Sequence, residues 1–166
     1  MNTVQERHAI YEDFTKEIDA VIKYNIGAEV TVAADGVSIP TTYKYVKSTG
    51  MEAFQPYVIA EGAEGATVAA PATSTVIKLV GIPQVSIPTA MFGWVAVKGA
   101  CQAKTGIQAK GDTLEVINAG TSLIVDGSSG SPAETANTVA ISSEAAAAAG
   151  VATVNLIGKR VAIAAS

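Results

Sequence analysis

From Gly27 onward the chain alternates apolar and polar residues with a period of two. Side chains of a strand point to opposite faces in turn, so this period predicts half-buried strands. "AEVTVAA" (28–34) alternates and stops at Asp35-Gly36, a turn dipeptide. "TTYKYVKSTG" (41–50) sets Tyr43, Tyr45 and Lys47 on one face, with Lys44 and Val46 on the other. "QPYVIAEGAEGATVAA" (55–70) reads as strand, glycine turn, strand, and "TSTVIKLVGIPQ" (73–84) as a strand closed by Pro83. The strongest alternation is "MFGWVAVKG" (91–99), followed at once by "ACQAK". "DTLEVIN", "TSLIVDG", "NTVAIS" and "VATVNLIGKRVAIAA" complete about ten short strands, with a loop "SSGSPAETA" (128–136) between the second and third of these. Ala145–Ala149 has room for one helical turn, stopped by Gly150. No βαβ rhythm is present, so the fold class is all-β: one compact β-barrel or β-sandwich over residues 25–166.

Residues 1–24 follow a different rule. Tyr11, Phe14, Ile18 and Ile22 fall on one face of a helix. The segment holds five acidic residues, three basic residues and the chain's single histidine, His8. So short an apolar stripe does not hold a helix by itself. It predicts an N-terminal arm, partly helical, that packs on a neighbouring subunit or a larger partner, or else on its own domain.

Composition sharpens this picture. Hydrophobic residues make up 49% of the 166 residues but aromatics only 5%, so the core is built from Ala, Val and Ile. Charged residues reach 16%, well below the usual quarter of a soluble domain, which implies either a small solvated surface or one partly covered by a partner. The net charge is −4 and the basic residues are scattered, which gives a nucleic-acid surface little support, so no nucleic-acid partner is expected. The uncharged run between Lys78 and Lys98 is interrupted by Gly81, Pro83 and Pro88 and is not a membrane span.

Candidate chemistry is sparse. One histidine and one cysteine, Cys101, cannot make a tetrahedral metal site, and a nucleophile–base pair would have to recruit His8 from the charged N-terminal segment across the molecule. Glu61 and Glu64 lack the alternating Asp/Asn pattern of a calcium loop, and "DGSSGS" (126–131) lacks the lysine of a phosphate cradle. No catalytic residue, metal or cofactor is expected. Trp94 alternates in register with Phe92 and Ala96, so Phe92, Trp94, Val95 and Val97 are expected to be structural core.

These pieces, in this order, resemble a known family. "YKYVKSTG", "AFQPYVIAEG", "LVGIPQVSIPTAMFGWVAVKGACQAK", "KGDTL" and "AISSEAAAAAGVATVNLIG" are similar to the decoration, or cement, proteins of tailed-phage capsids. The family's middle strand reads aromatic-Gly-Trp-Val-x-Val-x-Gly after a Gly-(Ile/Val)-Pro-Gln segment. The resemblance spans residues 42–158 and leaves residues 1–24 unmatched. It implies a compact β protein on the outer capsid surface of the virion, often a homotrimer. Such a protein binds the major capsid protein lattice and stabilises the head without catalysis. Two rival readings stay open: a carbohydrate-binding or adhesion β module on the virion surface, and a β-barrel enzyme whose site is completed at a subunit boundary. The lone histidine opposes the second.

Overall fold

A computed structural model describes residues 16–33, 39–62, 65–69, 78–116, 120–126, 138–158 and 160–161 of the chain. His8, Tyr11, Phe14, Glu64 and the 128–136 loop lie outside these residues. Within them the chain is nearly all β, as the alternation predicts, with one antiparallel sheet at its centre. The strands are β1 (Ile18–Asp19), β2 (Glu29–Val32), β3 (Thr41–Lys47), β4 (Tyr57–Gly62), β5 (Gly65–Ala69) and β6 (Lys78–Pro83). They continue with β7 (Phe92–Thr105), β8 (Thr113–Glu115), β9 (Ile124–Val125), β10 (Thr138–Ser142), β11 (Gly150–Leu156) and β12 (Arg160–Val161).

Ten of these strands lie in the order β12-β6-β4-β5-β3-β7-β11-β10-β8-β9, with β1 beside β7 and β2 beside β3. A further pairing of Ile82 with Ala96 and Pro83 with Val95 joins β6 to β7. It closes β6, β4, β5, β3 and β7 into a ring, in which only the β3–β5 contact is parallel. The second half of β7 leaves the ring and pairs along Gly99–Thr105 with β11, which carries β10, β8 and β9 beyond it.

The two faces of β7 therefore feed different cores. Val95 and Val97 pack with Val46, Tyr57, Ile59 and Ile87 on the face enclosed by the ring. The other face of the ring presents Val58, Val80, Ile82 and Ala96 to Cys101, Ala103, Leu114, Val154 and Leu156 of the second sheet. Each such fully buried branched side chain stabilises the fold by about 1.5–3 kcal/mol. Farther along the same outer face, Tyr45 and Trp94 join Tyr24 in a third, aromatic cluster, with Phe92 half-buried beside it. Phe92, Trp94, Val95 and Val97 thus serve two separate cores rather than one.

Both faces of β3 are covered: Tyr45 and Val46 are fully buried, and Lys44 is nearly so, its ammonium held 3.0 Å from Glu29 Oε1. The alternation of β3 signals its strand but not this double burial. β7 runs unbroken through Lys98-Gly99, a dipeptide that reads as a strand end. Gly99 makes this possible. Its φ is +89°, and a Cβ there would lie 2.0 Å from Pro40 O. Only glycine allows the backbones to cross so closely in that conformation. Gly99→Ala is expected to lose at least about 2 kcal/mol of stability, from backbone strain plus the clash. Thermal melting measures this directly.

The alanine stretch differs from expectation as well. Residues 143–149 form bends rather than a helical turn, and Ala146 exchanges two backbone hydrogen bonds with Gln108, of 2.9 and 3.0 Å. These bonds hold the segment against the turn that follows β7. No helix among the described residues is long and apolar enough to cross a membrane.

Candidate functional site

The aromatic cluster is the first place to look for a ligand platform. Trp94 is 0% exposed, with its ring 5.2 Å from Tyr24 and 5.1 Å from Tyr45. Tyr24 meets Tyr45 edge-on at 5.1 Å. The rings occupy one another's faces, so none offers a surface for a sugar or base to stack on.

What covers the cluster is the chain's own N-terminal segment. Ile18 and Asp19 pair as a strand with Gly93 and Phe92. Asp19 is buried, and the Tyr45 hydroxyl donates to its Oδ2 at 2.7 Å while accepting from the Lys23 backbone N–H at 3.4 Å. The Lys23 ammonium pairs with Asp19 Oδ1 and stands 3.6 Å from Glu17. Burial, then the bond to Asp19, pushes the Tyr45 hydroxyl above its ordinary range, so it remains a donor. The stripe expected of residues 11–22 is placed in part. Ile18 and Ile22 are 45% and 41% exposed, and they sit on a strand and its following bend rather than on a helix. A domain boundary after residue 24 would cut between Tyr24 and the core it belongs to.

Cys101 is buried in the core between ring and second sheet, and burial pushes its thiol up to about 12. The thiolate is the reactive form, so this sulfur is inert. Native protein at pH 8 is expected to leave Cys101 unmodified by a thiol-specific reagent, and denatured protein to react at once. Among the described residues no three His, Cys, Asp or Glu side chains gather as a metal site.

Two surface features remain. Ile107 (69% exposed) follows β7, and Val151 (49%) is the second residue of β11, paired with Lys104. With exposed Ala145, Ala147, Ala148 and Ala149 they form a weakly charged end of the second sheet. The other feature is a groove of about 510 Å³ where β7 changes partners, walled by Ile39, Pro40, Leu156 and Ile157 and floored by Thr31, Thr42, Lys98 and Gly99. Asn155 lines its far side. Composition and period gave no sign of this groove, because its residues come from four separate strands and a connecting segment.

No family model matches the chain, and no curated protein does. A solved structure is similar to it: the head fiber gp8.5 N base in bacteriophage phi29, with a TM-score of 0.50 and 12% sequence identity. The likeness covers 72% of this chain and 97% of that one, and it is a likeness of fold.

Proposed function

We propose that this chain is a structural protein of a tailed-phage head that decorates the outer capsid surface, binding the major capsid protein lattice and bracing it. The observation that carries this reading is the fold shared with a phage head fiber base over nearly all of that chain. The ordered motifs of residues 42–158 support it independently. So does a surface poor in charge, with exposed Ile107, Val151 and alanines of 145–149 at a weakly charged end. The role calls for cohesive surfaces and no acid, base, metal or cofactor. The assembled form is a homotrimer, as the resemblance to capsid decoration proteins implies, and so weakly charged a domain leaves apolar surface for its own copies.

Adding purified protein to heads that lack it tests the proposal. The expected result is ordered density on the outer shell by electron microscopy, and heads that retain DNA at higher temperature. Ile107→Lys is expected to reduce decoration or trimer formation while leaving the melting temperature within a degree or two, since exposed substitutions cost little. Bare shells at saturating protein would sink the proposal. Light scattering that gives one-chain mass both in solution and after release from heads would remove the trimer alone.

A further inference from the structure

Thr31, at the rim of the groove, belongs to β2, and β2 is paired on one side only, with β3. The other strands with a single strand partner, β1, β9 and β12, have two residues each, against four in β2. The ladder tells which backbone groups β2 leaves over. The Tyr45 N–H donates to the Ala28 carbonyl at 2.9 Å, and Val30 and Val32 stand opposite Tyr43 and Thr41 in step with it. Residues of an antiparallel strand bond a given neighbour alternately. Ala28, Val30 and Val32 therefore turn their N–H and C=O groups to β3, while Glu29, Thr31 and Ala33 turn theirs outward. Among the described residues no backbone group bonds those outward groups, and all three residues are exposed. Natural sheets guard such an edge with proline or lysine. Residues 28–33 hold neither, and their one charge, Glu29, is taken up by the Lys44 ammonium at 3.0 Å.

The sequence of this edge selects its partner. Glu29-Val30-Thr31-Val32-Ala33 reads nearly the same in both directions about Thr31. We propose that the open edge of β2 pairs with the same edge of a second copy of this chain, antiparallel about a two-fold axis at Thr31. Thr31 of each copy then exchanges two backbone hydrogen bonds with Thr31 of the other. Glu29 falls opposite Ala33 of the second copy, so no like charges meet, and Val30 falls opposite Val32. This register uses all three outward residues of each strand, whereas a shift of one step either way leaves one of them out. It also covers apolar surface, because Val30 and Val32 are only half-buried at the rim of the aromatic cluster. The contact is isologous, and it is distinct from the three-fold interface of a trimer; it joins a copy in one trimer to a copy in the next. It does not rest on the capsid reading.

Disulfide cross-linking of the full chain, with no heads present, tests it. The Cα atoms of a hydrogen-bonded antiparallel pair lie about 5.5 Å apart, within reach of a disulfide. Thr31→Cys is therefore expected to give a two-chain product on mild oxidation. Glu29→Cys alone is expected to react about tenfold more slowly, because the register sets its two copies about 13 Å apart along the strands. Glu29→Cys mixed with Ala33→Cys is expected to cross-link at a rate comparable to Thr31→Cys, since those positions face each other. Cys101 is buried and adds no background. Adding Ala33→Glu to Thr31→Cys places a carboxylate opposite Glu29 at both ends and is expected to slow the product about fivefold, and a further Glu29→Gln to restore it. The proposal is overturned if Thr31→Cys cross-links no faster than Glu29→Cys, or if the mixture cross-links no faster than either of its variants alone. A Thr31→Cys product that Ala33→Glu does not slow would likewise overturn this register. None of these results touches the capsid reading, because no head takes part in the assay.

Discussion

Trp94→Ala is expected to destabilise the protein by about 3–5 kcal/mol, the range for removing a large aromatic side chain from a packed core. Chemical denaturation followed by circular dichroism measures it. The ring is 0% exposed and touches two other rings at 5.1 and 5.2 Å, so its removal opens a cavity that Tyr24 and Tyr45 cannot both collapse into. Tyr45 is held from its far end by Asp19, and Gly93 has no room to shift: a Cβ there would already lie 2.6 Å from Ile87 Cδ1. Trp94→Phe, which keeps a ring in the gap, should cost less than half as much. A loss below about 1 kcal/mol for Trp94→Ala would mean that the cluster contributes little to the fold.

How far the sequence predicts this fold depends on the range of the interaction. Phe92–Val97 is legible because period-two burial is a local property, and both faces of β7 meet a core. Its continuation to Thr105 is not, because Lys98-Gly99 is a break by propensity and becomes a crossing only where Pro40 lies against it. The same contest decides residues 16–24. Ile18 and Ile22 are spaced for a helix, yet Ile18 and Asp19 pair with β7, and the Asp19 bond to Tyr45 and the burial of Tyr24 hold the segment against the aromatic cluster. The apolar pair is left half outside while the aspartate goes in. No rule of amphipathicity selects that arrangement, because the partner lies 26 residues away. The alanines of 145–149 favour a helix by propensity, but one turn cannot outweigh two backbone bonds to Gln108. Lys98, Thr31 and Thr42 are unremarkable residues in one dimension; only the sheet register makes them a row.

Deleting residues 1–24 is expected to cost more than any single substitution, and to do so through the fold. The cut removes Tyr24, a 2%-exposed ring in contact with both Tyr45 and Trp94, and it removes Asp19. Loss of the ring alone is worth about 3–5 kcal/mol. Loss of Asp19 leaves a buried tyrosine hydroxyl without its acceptor, at about 1–3 kcal/mol more. Together these approach the whole stability of an ordinary domain, so the truncated chain should melt far lower or fail to fold. Two point variants separate this strap from a purely external arm. Asp19→Ala should lower the melting temperature while leaving Ile18, Val21 and Ile22 in place. Substituting those three exposed residues with Ser should leave melting nearly unchanged and, if the segment's outer side also meets a neighbour or the shell, reduce decoration of heads. A truncated chain that melts like the intact one would show that Tyr24 and Asp19 are passengers. The segment would then act only through what it touches outside its own subunit.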